Sequence, residues 1–97
     1  MKKANAQIKG FPKDVQNEVL KILVEERERR DEARTSLAEK FDVHPSTAMK
    51  IEAGTFDLSL MRFIQWCKLY QLDPERIFSL AFRRASQKMK AKAKSTK

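Results

Sequence analysis

Apolar and polar positions recur with helical spacing over most of the chain. Val15, Val19, Ile22 and Leu23 fall on one stripe with Leu20 and Val24 on its flank, which predicts a first helix beginning near Pro12 and Asp14. The stripe gives way to VEERERRDEA, charged on every side and read as a solvated face; Glu26 and Arg30 stand i,i+4 there, acid first, the favourable order for a surface pair. Between Leu37 and Gly54 the pattern predicts two short helices and a tight turn. Leu37, Ala38 and Phe41 share one side of the first, with Arg34, Thr35 and Ser36 opening and capping it. Asp42 breaks the pattern, Val43 is a single apolar plug, and His44-Pro45 restarts the chain, because proline fits the first helical position where its missing N–H is not needed. Ala48 and Ile51 then face inward, and Gly54 supplies a left-handed end. Ser46, Thr47, Met49 and Lys50 are left facing outward.

Two further helices follow. Ser59 caps a fourth, with Leu60, Phe63, Ile64 and Cys67 as its inner face and Trp66 and Tyr70 near the edge. Asp73-Pro74-Glu75 starts a fifth. That last helix carries two apolar stripes: Ile77, Leu80 and Ala81 close the core, while Phe78, Phe82, Ala85 and Met89 lie on a rotated face. Helical spacing does not separate an external from an internal role for the second stripe. It forms a two-fold homodimer surface, or it wraps back over the first helix to cover Val15 or Phe11. The predicted class is all-α: a compact five-helix bundle with a central helix-turn-helix and flexible basic N- and C-terminal tails. Residues 1–10 are a basic arm, 11–87 the domain and 88–97 a basic tail.

Composition narrows the chemistry. A chain of 97 residues is large enough for one modest core. One cysteine and one histidine argue against an internal disulfide or a zinc site and suit a reducing cytosol, so neither a metal nor a cofactor is expected. No apolar run reaches the length of a membrane span. The net charge of +8 is uneven. Residues 1–13 carry Lys2, Lys3, Lys9 and Lys13 and no acid, residues 83–97 carry seven basic groups and no acid, and the middle is slightly acidic. Such ends attract polyanions or act as solvated tails. No paired carboxylates, activated nucleophile or phosphate loop can be assembled, so no catalytic residue is expected.

The stretch LAEKFDVHPSTAMKIEAG resembles the lambda-repressor-like (Cro-type) helix-turn-helix family. Leu37-Ala38-Glu39-Lys40, Phe41, Val43, Ser46-Thr47, Ile51-Glu52 and Gly54 stand where members carry like residues, and the likeness extends over roughly Val24 to Leu80. Aspartate at position 42 replaces the family's usual turn glycine, and Arg34 replaces a common glutamine. The resemblance implies that the Pro45–Ala53 helix lies in the DNA major groove while the preceding helix crosses the phosphate backbone. It implies DNA contacts by Arg34, Thr35, His44, Pro45, Ser46, Thr47, Met49, Lys50 and Thr55. Arg34 meets phosphate in that placement; its alternative is an ion pair with Glu32 or Glu39. Pro45 and Met49 replace polar groups, so base readout has few hydrogen bonds and DNA shape carries much of the discrimination. The expectation is a cytoplasmic, nucleoid-associated, homodimeric regulator binding double-stranded DNA, of the repressor type. The alternatives are an antitoxin-type module that regulates its own promoter and a sequence-independent basic nucleic-acid-binding protein.

Overall fold

The structure is a computed structural model describing residues 2–95, with side chains from residue 9 to residue 91. Its elements are α1 (Lys2–Arg29), α2 (Arg34–Lys40), α3 (Pro45–Glu52), α4 (Leu60–Tyr70) and α5 (Pro74–Ser95). No strand occurs among the described residues, so the all-helical class is as expected.

Two helix limits differ from the hydrophobic pattern. α1 runs back through Pro12 to Lys2, and α5 continues past Lys88 to Ser95. Apolar spacing is silent in both stretches, but Ala and Lys dominate them and are strong helix formers. Phe11 also docks edge-on against Phe82, with ring centroids 4.9 Å apart, which ties α1 to α5 on the N-terminal side of the proline. The arm side chains up to Ile8 and the tail side chains from Lys92 lie outside the described residues.

One core joins all five helices: Val15, Val19, Leu20 and Leu23 of α1, Leu37 of α2 with Phe41 at its end, Ile51 of α3, Phe63, Trp66, Cys67 and Tyr70 of α4, and Ile77, Ala81 and Ala85 of α5. The inner face of α4 is rotated from the expected one. Leu60 and Ile64 are 71% and 51% exposed, whereas Trp66 and Tyr70 are buried. Positions 63, 66, 67 and 70 form an equally good helical stripe, and turning it inward buries two large aromatic rings in place of two aliphatic side chains, removing more apolar area from water.

The two stripes of α5 are likewise redistributed. Ala81 and Ala85 have no exposed surface, and their small side chains let α5 lie close on α1, its most extensive partner. Ala85 therefore does not belong to an outward dimer face. Phe82 is shared between solvent and Phe11, and Phe78 and Met89 remain substantially exposed.

Four helices end in the same way, with a left-handed residue followed by a 6→1 and a 5→2 backbone hydrogen bond. After α1, Asp31 has φ 55°, with Glu32 N–H on the Arg27 carbonyl and Asp31 N–H on that of Glu28. Asp42 (φ 56°) closes α2 through Val43 N–H to Ala38 and its own N–H to Glu39. Gly54 (φ 77°) ends α3, and Gln71 (φ 58°) ends α4. The break at Asp42 is thus a left-handed stop that drops Val43 onto the core.

Candidate nucleic-acid interface

α3 is held from one side. Ala48 and Ile51 are buried, and the end of the helix is fastened by polar contacts from α1. Arg27 donates from Nε to Glu52 Oε2 at 2.6 Å and from Nη2 to Oε1 at 3.2 Å, while its Nη1 reaches the Glu32 carbonyl at 2.8 Å. Lys13 Nζ donates to the Gly54 carbonyl at 2.9 Å, and Leu58 N–H donates to Gln16 Oε1 at 2.6 Å. The opposite face is open: Ser46, Met49 and Lys50 are exposed and Thr47 is half-buried.

The start of α3 is built as its sequence predicts. Pro45 occupies the first turn, and His44 caps it by accepting the Ser46 N–H on Nδ1 at 3.1 Å. Ser46 Oγ lies 2.8 Å from the same nitrogen, so His44 and Ser46 fix one another. Beyond the helix, Thr55 is exposed with its N–H on the Lys50 carbonyl. The Lys50 ammonium stands 5.8 Å from the ring centroid of Phe56, itself 46% exposed. Phe56 is an outward aromatic beside the candidate surface that apolar spacing passes over, because it sits in a connection.

At the start of α2 the capping expectation is replaced. The N-cap is Ala33, with no side-chain cap, and Ser36 Oγ instead donates to Glu32 Oε2 at 3.1 Å. Thr35 is exposed. Arg34 pairs with neither Glu32 nor Glu39; its Nε donates to Glu52 Oε1 at 2.8 Å. One carboxylate, 5% exposed, therefore receives a buried arginine from α1 and an exposed one from α2. The fold thereby links the first residue of α2 to the last of α3.

The charged run at the end of α1 is not a uniformly solvated face. Leu20, Leu23 and Arg27 lie at i, i+3 and i+7, so the core stripe continues directly into Arg27; that spacing was the available signal. The expected Glu26–Arg30 pair forms at 2.8 Å, and Arg30 also donates to the Tyr70 carbonyl at 2.6 Å and lies over its ring. Glu32 is a second hub, taking the Tyr70 hydroxyl at 2.5 Å, Ser36 and Lys40. Burial pushes the Glu32 carboxyl up, but the hydrogen bonds from Lys40, Tyr70 and Ser36 outweigh it and hold the group below its ordinary value. Burial, then the Glu32 contact, raises the Tyr70 phenol. On α1, Glu18 is buried beneath Lys88, whose hydrogen bond is the main reason its carboxyl is lowered.

A scan against protein-family models and searches of curated proteins and of solved structures found no match. The surface has a chemistry of its own. Its exposed groups are hydroxyls, a thioether, an ammonium, an aromatic ring and a guanidinium, a set suited to contacting a polyanion and its base edges. Among the described residues no group of histidine, cysteine and acidic side chains could hold a metal ion. Cys67 is buried, and burial raises its thiol, which opposes thiolate formation. No helix among the described residues is long and apolar enough to cross a membrane.

Proposed function

We propose that this chain binds double-stranded DNA in a sequence-dependent manner and regulates transcription, as a repressor acting through a homodimer, with α2 and α3 serving as a helix-turn-helix of the lambda-repressor-like type. In this reading α3 enters the major groove, Ser46, Thr47, Met49 and Lys50 meet base edges, and Arg34, Thr35 and Thr55 meet phosphates. His44 and Pro45 set the start of the helix. The work is binding rather than chemistry. The observation that carries the reading is the one-sided anchoring of α3: apolar packing and the Arg27–Glu52 clamp fix its inner face and leave its polar and basic outer face unoccupied.

The dimer face in this proposal is Phe78, Phe82 and Met89, without Ala85, extended onto α4 by Leu60 and Ile64. Phe78 and Leu60 line the same groove. A second reading is favoured by the number of exposed apolar side chains on α4 and α5, Met61 at 83% among them: an apolar face masks a different protein, as an antitoxin does, while the helix pair binds the chain's own promoter.

The test is selection of bound duplexes from a random pool at near-physiological salt, followed by sequencing. A palindromic consensus with half-sites about one helical turn apart is the expected result. Retained binding without enrichment replaces sequence-dependent recognition by basic, sequence-independent binding. Absence of binding removes the nucleic-acid reading. Co-purification in a stable unequal complex favours the second reading.

A further inference from the structure

We propose that Glu52 is a positioning residue for phosphate recognition, holding the Arg34 guanidinium by one nitrogen so that its remaining donors are fixed toward a phosphodiester oxygen. This rests on the DNA-binding reading above and adds to it a requirement on the shape of the group at position 34. Glu52 ends α3 with its side chain 5% exposed, and two nitrogens of the buried Arg27 hold its carboxylate. It is therefore a fixed acceptor. Arg34 leaves the opposite end of the helix pair and reaches the same carboxylate with Nε alone, at 2.8 Å. Its side chain is 43% exposed, and among the described residues no protein group takes a hydrogen bond from its terminal Nη1 or Nη2.

A guanidinium is planar, with donors in a fixed fork. Anchoring Nε therefore fixes the plane, and the terminal nitrogens no longer search when an anion arrives. Much of the side-chain ordering cost of a surface arginine is met before binding. Lysine cannot reproduce this. Its three donors share one freely rotating nitrogen, which would have to sit within reach of Glu52 and the phosphate at the same point and fixes no plane, whereas arginine serves the two from separate nitrogens. Charge conservation at position 34 is then insufficient, and the anchor couples the α2 phosphate contact to the orientation of the helix that reads bases.

The experiment compares the full chain with Arg34→Lys, Arg34→Ala and Glu52→Gln in fluorescence anisotropy, using the best duplex recovered by the selection above, or a mixed-sequence duplex if none is enriched. Salt is varied, and far-ultraviolet circular dichroism checks folding. Arg34→Ala is expected to weaken binding about tenfold and to reduce the salt slope by about one. The proposal expects Arg34→Lys to behave like Arg34→Ala in both respects. If Arg34→Lys instead binds within about threefold of the parent chain with an unchanged slope, net charge suffices and the anchor is refuted. Glu52→Gln is expected to weaken binding more in the parent than in the Arg34→Ala background, where only its clamp on Arg27 remains to be lost; an equal loss in both backgrounds makes Glu52 merely structural. Should Glu52→Gln unfold, the Arg34→Lys comparison decides. Failure of the parent chain to bind any duplex overturns the DNA reading itself, a separate outcome from parent binding that is indifferent to Arg34→Lys.

Discussion

Arg27→Met tests whether the clamp between α1 and α3 is a structural bond or a surface decoration. Met retains much of the apolar stem and removes the guanidinium. The wild-type side chains are 9% and 5% exposed at Arg27 and Glu52, so the pair belongs with buried ion pairs, where deleting one partner costs about 3–5 kcal/mol because the other charge is left unpaired. Here Glu52 keeps Arg34 at 2.8 Å, which offsets part of that loss, while the Glu32 carbonyl loses its donor from Arg27. The balance is a destabilisation of about 2–3 kcal/mol. For a domain of this size that corresponds to a fall in Tm of roughly 10–20 °C, read by thermal unfolding at 222 nm. The double substitution Arg27→Met with Glu52→Leu removes both charges and is expected to recover at least half of the loss, since buried pairs are often replaceable by apolar groups. A shift below about 0.5 kcal/mol for Arg27→Met, the range of an ordinary surface change, or a double variant no better than the single one, refutes the assignment of a buried clamp.

Gln71→Gly relieves a left-handed residue at φ 58°. Strain of about 1–2 kcal/mol is offset by the entropy cost of glycine, about 0.5–1 kcal/mol, for an expected gain of about 0.5–1 kcal/mol in urea unfolding. Gly54→Ala has the opposite sign: φ is +77° and a Cβ would stand 3.2 Å from Asn17 Oδ1, so a loss of about 1–2 kcal/mol is expected. Glu18 and Glu32 have folded pKa values below those of the unfolded chain, where glutamate titrates near about 4.3. The unfolded chain therefore takes up those protons first as acid is added. Their stabilisation is complete above that value and lost as pH falls through the folded values. Urea midpoints from pH 6 to pH 2.5 should decline, and Glu32→Gln should lower the pH 6 midpoint while flattening the decline; an unchanged acid slope contradicts the hub.

The sequence by itself determined the helical class, the approximate placement of four helix starts and the local devices at their ends. His44, Pro45, Ser59, Asp73 and Gly54 act on backbone within a turn of themselves, so their roles need no tertiary context. The outward set Ser46, Met49 and Lys50 was legible for a related reason: Ala48 and Ile51 fix the rotation of a short helix, and whatever is opposite them must face out.

What the tertiary structure decided were choices between nearly equivalent local solutions. α4 offers two overlapping stripes, and only the space left by the other helices selects the one that buries Trp66 and Tyr70. Ala85 fits an outward stripe as well as an inward one, and the close approach of α1 settles it. The partners of Arg27, Arg34 and Glu32 were hidden because a charged side chain has several acids within reach in sequence. Glu52, 25 residues from Arg27 and 18 from Arg34, becomes their shared partner only when α1, α2 and α3 converge. Burial then makes removing one partner of the Arg27–Glu52 pair cost far more than breaking a neighbouring surface pair.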